Sequence, residues 1–133
     1  MLSKRMAAMA ALAATAAGAA SAQSETPAAP AGPAAIEWDA EGAARSMASV
    51  APKDTQRHCT ALKARERVVY AYVAQGPVDF RIEPAGSLQP LVFQDRQREA
   101  RDAFTPAREG RYCWAWINRG EVPVQLSIQW RRR

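Results

Sequence analysis

Histidine and cysteine are scarce in this 133-residue chain, which has one His, His58, and two Cys, Cys59 and Cys113. A zinc site would have to draw most of its ligands from carboxylates and water, so no metal constellation is expected. His58 and Cys59 do not make a nucleophile and its base, because adjacent side chains on an extended chain point to opposite faces. The chain also lacks a phosphate-binding glycine loop, a nucleophile elbow and a dinucleotide fingerprint. These absences point away from an enzyme: no catalytic residue and no cofactor are expected. Long hydrophobic runs are missing too. The one apolar stretch, Met6 to about Ala17, is shorter than the ~20 residues a helix needs to span ~30 Å of hydrocarbon.

That stretch follows Lys4 and Arg5 and precedes Ala20-Ser21-Ala22, the basic, apolar and small-residue order of a secretory signal peptide. Residues 1–22 are therefore expected to be removed. No Cys closely follows them for lipid anchoring, so the mature chain is expected to be periplasmic or secreted, with no transmembrane segment. Losing Lys4 and Arg5 lowers the formal charge from +5 to +3. That balance gives little reason for nucleic-acid binding, and the terminal Arg131, Arg132 and Arg133 read as a solvated cluster. In an oxidising compartment the two cysteines are expected to form one disulfide, Cys59 to Cys113.

Residues 23–44 are dominated by Ala, Pro, Gly and Glu, with only Ile36 and Trp38 as large apolar side chains. Such a stretch buries too little surface to offset its ordering entropy and reads as a linker. The domain is then expected over 45–133. Ser46–Val50 is a first edge strand, and Pro52–Arg57 is turn-like. Arg67–Ala74 is a strand, broken by Gln75-Gly76-Pro77 before a second, half-exposed strand in which Val78, Phe80 and Ile82 alternate with Asp79, Arg81 and Glu83. Asp79 and Glu83 share a face and read as its solvated side rather than as an acid and base pair. Leu88–Phe93 is a further strand despite Pro90, Gln94–Asp102 a surface strand or loop, and Ala103–Thr105 a short strand.

The strongest periodic signal lies in Gly110–Trp130. Val122, Val124, Leu126, Ile128 and Trp130 alternate with polar residues or proline, while Tyr112, Trp114 and Trp116 alternate with Cys113, Ala115 and Ile117. With Asn118, Arg119 and Gly120 between them, the two halves predict a tight hairpin whose first strand is central. The whole pattern predicts an all-β, antiparallel β-sandwich of about seven or eight short strands.

From Cys59 to Trp130 the chain resembles the GOLD (Golgi dynamics) domain. The resemblance rests on a Cys, the run Val68–Val73, Gly76-Pro77-Val78-Asp79-Phe80-Arg81-Ile82-Glu83-Pro84 with Gly86 in the turn, Phe104-Thr105, and Gly110-x-Tyr112 ending in Trp114-x-Trp116-x-Asn118. It implies a jelly-roll-like β-sandwich used for protein recognition, without catalysis, in which Cys113 lies about two residues early on its strand but on the same face. The expected function is an exported, non-enzymatic binding module whose partner is an envelope protein. The alternative is a carbohydrate- or lipid-binding domain that uses Trp114, Trp116 and Arg119 as a stacking face. The resemblance favours placing those rings in the core.

Overall fold

The computed structural model describes residues 32–87 and 89–133. The expected signal peptide, and the linker as far as residue 31, lie outside the described residues. Seven strands follow in order: β1 (Ala34–Ala35), β2 (Ala43–Val50), β3 (Thr55–Leu62), β4 (Val68–Pro84), β5 (Val92–Phe104), β6 (Gly110–Ile117) and β7 (Val124–Arg132). Hydrogen-bonded neighbours run β1-β3-β6-β4-β7-β2, and β5 also pairs with β4. Every pairing is antiparallel except that of β1 with β3. This all-β sheet curls on itself into an approximate sandwich.

β4 belongs to both layers. Its first half, Val68–Ala74, pairs with β7, and its second half, Asp79–Pro84, pairs with β6. β5 runs along β4 beside both halves, with register shifts between Val73 and Val78 and between Val78 and Phe80. The break expected at Gln75-Gly76-Pro77 is therefore a bend within one strand. Alternation continues through it without a change of phase, since Val68, Tyr70, Tyr72, Ala74, Gly76, Val78, Phe80 and Ile82 are all buried. Gly76 faces inward, where a Cβ would stand 3.2 Å from Val124 Cγ2. Pro77 lies between the β7 and β6 ladders, so its missing N–H removes no ladder bond there.

The hairpin expected over Gly110–Trp130 is likewise a crossover. β6 and β7 do not pair with each other; they meet successive parts of β4 and belong to different layers. Val122 stands outside β7 and is exposed, so the buried alternation begins at Val124. The separate strands expected at Leu88–Phe93 and Ala103–Thr105 are replaced by the single β5, which takes in the charged stretch between them. Thr55–Arg57, expected as turn, opens β3. Within the expected linker, Ala34 and Ala35 pair with His58 and Cys59, and Ile36 is buried. Backbone pairing to β3, which Ile36 extends by donating its N–H to the Cys59 carbonyl (2.9 Å), seats a segment too poor in apolar side chains to fold alone.

Tyr70, Tyr72, Phe80, Trp114, Trp116, Leu126, Ile128 and Trp130 form the heart of the core. Their rings meet at the offsets aromatic pairs prefer, as with Tyr72 and Phe80 at 5.0 Å and Phe80 and Trp116 at 5.4 Å between centroids. The disulfide joins directly opposed residues of β3 and β6, Cys59 and Cys113. They share a face with Glu83, Arg57 and Ala115, and the tryptophans occupy the other face.

His58 is buried among these rings, 5.4 Å from Trp130 and 5.9 Å from Trp116 by centroid. Burial pushes its pKa below the ordinary 6.5. The unfolded chain then takes up the proton first, so this contribution to stability is fully present above pH 6.5 and is lost as pH falls toward the folded-state value. His58→Phe is expected to flatten the dependence of the urea midpoint on pH between about 7 and 5. An unchanged slope would show that His58 does not set it.

Candidate functional site

A cleft of about 710 Å³ lies where β4 changes layers. Three segments form it. The β4 bend supplies Gln75, Gly76, Pro77 and Asp79; β5 supplies Asp95 and Arg96; and the β6–β7 crossover, from Ile117 to Val124, supplies the opposite wall. The cleft follows from the topology. β6 ends opposite Asp79, β7 begins pairing beyond the bend, and the connection must cross the gap between the two ladders.

Asn118 holds that connection. Its side chain is buried and its Nδ2 donates to the carbonyls of Val50 (3.0 Å) and Val122 (2.7 Å), while Oδ1 accepts the N–H of Gly120 (2.9 Å). Its own backbone N–H donates to the Asp54 carbonyl at 3.0 Å. The Asx-type turn expected from Asn118 and Gly120 is thus present, and it shapes a crossing segment instead of a hairpin. Lys53 braces the rim, donating to the Arg119 carbonyl at 2.7 Å and pairing with Glu121 at 3.0 Å.

At the floor lies Asp79. The expectation that Asp79 and Glu83 form a solvated side is corrected: both are buried, because arginines from other segments cover them. Arg57 Nε donates to Glu83 Oε1 at 3.1 Å across the small Ala115, and Arg119 Nε donates to Asp79 Oδ2. Asp79 Oδ1 accepts the Arg96 N–H at 3.0 Å. Arg96 has φ 51°, the left-handed region, at the irregularity in β5 that brings this amide over the carboxylate. Burial alone would raise the pKa of Asp79, but hydrogen bonds from Arg119 and Arg96 and the charge of Arg119 outweigh it and hold the carboxyl below its usual 3.8. The Arg119 pKa is raised in return by the same pair.

Asp79 is thus an anchor for Arg119 rather than an acid or base. The Arg119 side chain remains 63% exposed at the mouth of the cleft, beside the exposed Val122. The other two residues expected on a stacking face are elsewhere. Trp114 and Trp116 are both 0% exposed, and rings without a solvent-facing surface cannot stack on a sugar or lipid. Among the described residues no group of three or more His, Cys, Asp or Glu is placed to hold a metal ion. No helix among them is long and apolar enough to cross a membrane.

No family model matches the chain, and none of the curated proteins matches it in sequence. Solved structures do match its shape. PliG of Aeromonas hydrophila, a periplasmic lysozyme inhibitor of g-type lysozyme, aligns with a TM-score of 0.64 at 13% identity, over 76% of this chain and 96% of that one. This is the fold of PliG. The Salmonella Typhimurium PliG aligns with a TM-score of 0.54 at 11% identity, over 76% of this chain and 98% of its own. The pre-peptidase C-terminal domain of a Bacillus anthracis collagenase aligns equally well, at 0.54 and 13% identity over 75% and 97%. The PliG-like fold is therefore found both in periplasmic inhibitors and in a domain of an enzyme, and at these identities the likeness concerns the fold alone.

Proposed function

We propose that this chain is an exported, non-enzymatic protein-binding module of the cell envelope, and that it recognises its partner at the cleft between the β4 bend and the β6–β7 crossover. The observation that carries the reading is the preset mouth of that cleft. A buried Asp79 fixes the Arg119 guanidinium, Asn118 fixes the loop that bears it, and Val122 adds exposed apolar surface on the same loop. Preorganised arginine beside exposed apolar surface is what protein interfaces use, since little ordering entropy remains to be lost on binding. The PliG fold supports the reading, because those proteins inhibit a lysozyme.

A g-type lysozyme is the first partner to test. Titration calorimetry of the purified chain against such a lysozyme is expected to show binding that Val122→Asp weakens about tenfold or more, as substitutions at interface anchors do. Val122 makes no side-chain contribution to the core, so the variant should keep the wild-type melting temperature. Failure to bind lysozyme, together with no protein retained from periplasmic extract in a Val122-dependent way, would overturn the proposal.

A further inference from the structure

Among the described residues the sheet has three edges, and they are finished differently. At one end the two-residue β1 lies against β3. β5 carries Asp95, Arg96, Arg98, Glu99, Arg101 and Asp102 and is kinked where Arg96 takes a positive φ. Charge and irregularity of this kind keep a strand edge from pairing with other chains. β2 has neither protection: its sequence is Ala-Ala-Arg-Ser-Met-Ala-Ser-Val, with one charge and no proline.

The direction of its free hydrogen-bonding groups can be read from the ladder. Arg132 donates its N–H to the Gly42 carbonyl, so Gly42 and every second residue after it face β7. The N–H and C=O groups of Ala43, Arg45, Met47 and Ser49 therefore point away. Ala43 is closed off within the chain, as Asp39 Oδ1 accepts its N–H (2.9 Å) and the Asp39 N–H donates to its carbonyl (2.8 Å). Arg45, Met47 and Ser49 are left at the edge. Met47 is 84% exposed and lies beside Ser127, with Gln125 and Gln129 along the same face of β7. Among the described residues nothing apolar in its own layer covers it.

We propose that this edge pairs with the β2 edge of a second copy of the chain, forming a two-fold symmetric, antiparallel dimer centred on Met47. The register is set by self-complementarity. With Met47 opposite Met47 of the second copy, Arg45 falls opposite Ser49, and each of these pairs can exchange both of its backbone hydrogen bonds. Inward-facing Ala44, Ser46, Ala48 and Val50 meet inward-facing residues, so the two curled sheets join without exchanging faces. Shifting the register to place Arg45 opposite Arg45 would set like charges directly across the ladder, which is destabilising. The contact is small, so the dimer is reversible and forms with rising concentration.

Sedimentation velocity of the full chain from about 10 µM to 1 mM is expected to show a monomer–dimer shift, in the range typical of small interfaces. Met47→Lys should weaken association at least about tenfold by placing two ammonium groups across the ladder, without changing the far-ultraviolet dichroism. Ser49→Pro removes an edge N–H that the β2–β7 ladder does not use, and should weaken it as well. Register has its own test. Met47→Cys alone should cross-link to itself on mild oxidation, because such pairs stand ~5.5 Å apart by Cα. Ser49→Cys should cross-link only when mixed with Arg45→Cys. A monomer throughout the concentration range, or a dimer indifferent to both Met47→Lys and Ser49→Pro, would overturn the proposal. Self-cross-linking of Ser49→Cys would overturn the register.

Discussion

Replacing Cys59 and Cys113 together with alanine is expected to destabilise the domain by about 4 kcal/mol, the chain-entropy value for a loop of this length. The bridge spans 54 residues of sequence, and opening it restores freedom to the unfolded chain across β3, β4, β5 and the start of β6. Native contacts should change little. The cysteines lie on the face of β3 and β6 opposite the tryptophans, so their loss opens no cavity beside Trp114 or Trp116. For a domain of this size the change corresponds to a fall in Tm of roughly 15–30 °C. Calorimetry of the double variant, and of the wild type held in reductant, should give the same shift. A loss below about 1 kcal/mol would mean that the β3–β6 ladder already confines the unfolded chain or that native strain cancels the gain.

Asn118→Ala is expected to cost about 3 kcal/mol, nearly as much, through hydrogen bonds instead of chain entropy. The substitution leaves the Val50 and Val122 carbonyls and the Gly120 N–H without the partners that one side chain supplies. These groups belong to the end of β2 and to the crossover. Loss of the amide therefore loosens the junction of both layers at once. Asn118→Asp separates hydrogen bonding from volume: it keeps an acceptor for Gly120 but turns oxygen toward two carbonyls. It should be at least as destabilising as alanine, as read from denaturant midpoints. If the aspartate variant were near wild type, the amide donor would not be what holds the crossover. Val122-dependent partner binding should also weaken in Asn118→Ala at temperatures where the domain remains folded.

Local periodicity made part of this architecture legible. Val124, Leu126, Ile128 and Trp130 alternate because β7 has one buried face, and both faces of β6 are buried because Trp114 and Trp116 fill the core on one side while the Cys59–Cys113 bridge and the Arg57–Glu83 pair cover the other. The pairing of Cys59 with Cys113 follows from their being the two cysteines of a chain that reads as exported. What the sequence concealed depends on segments far apart in it. Gly76-Pro77 resembles a strand break in any local window, and only the empty stretch between two ladders lets a single strand pass through it. Asn118-Arg119-Gly120 has the composition of a hairpin turn, but β4 supplies partners that draw β6 and β7 apart. Asp79 looks solvated until Arg119, 40 positions later, and the amide of Arg96 close over it. Of the cleft, the sequence marks only Arg119 as a ligand-binding residue, on an aromatic face whose tryptophans are interior.

The pairing of β2 with β7 has a consequence in time. β2 is among the first strands of the domain to be synthesised, and its ladder partner is the last. No shortened chain can complete the layer they share, and an emerging chain must keep Ala43–Val50 waiting until Val124–Arg132 arrives. Closure between such distant segments places folding among the slower, milliseconds-to-seconds topologies. The finished β2–β7 ladder therefore joins the early and late parts of the domain.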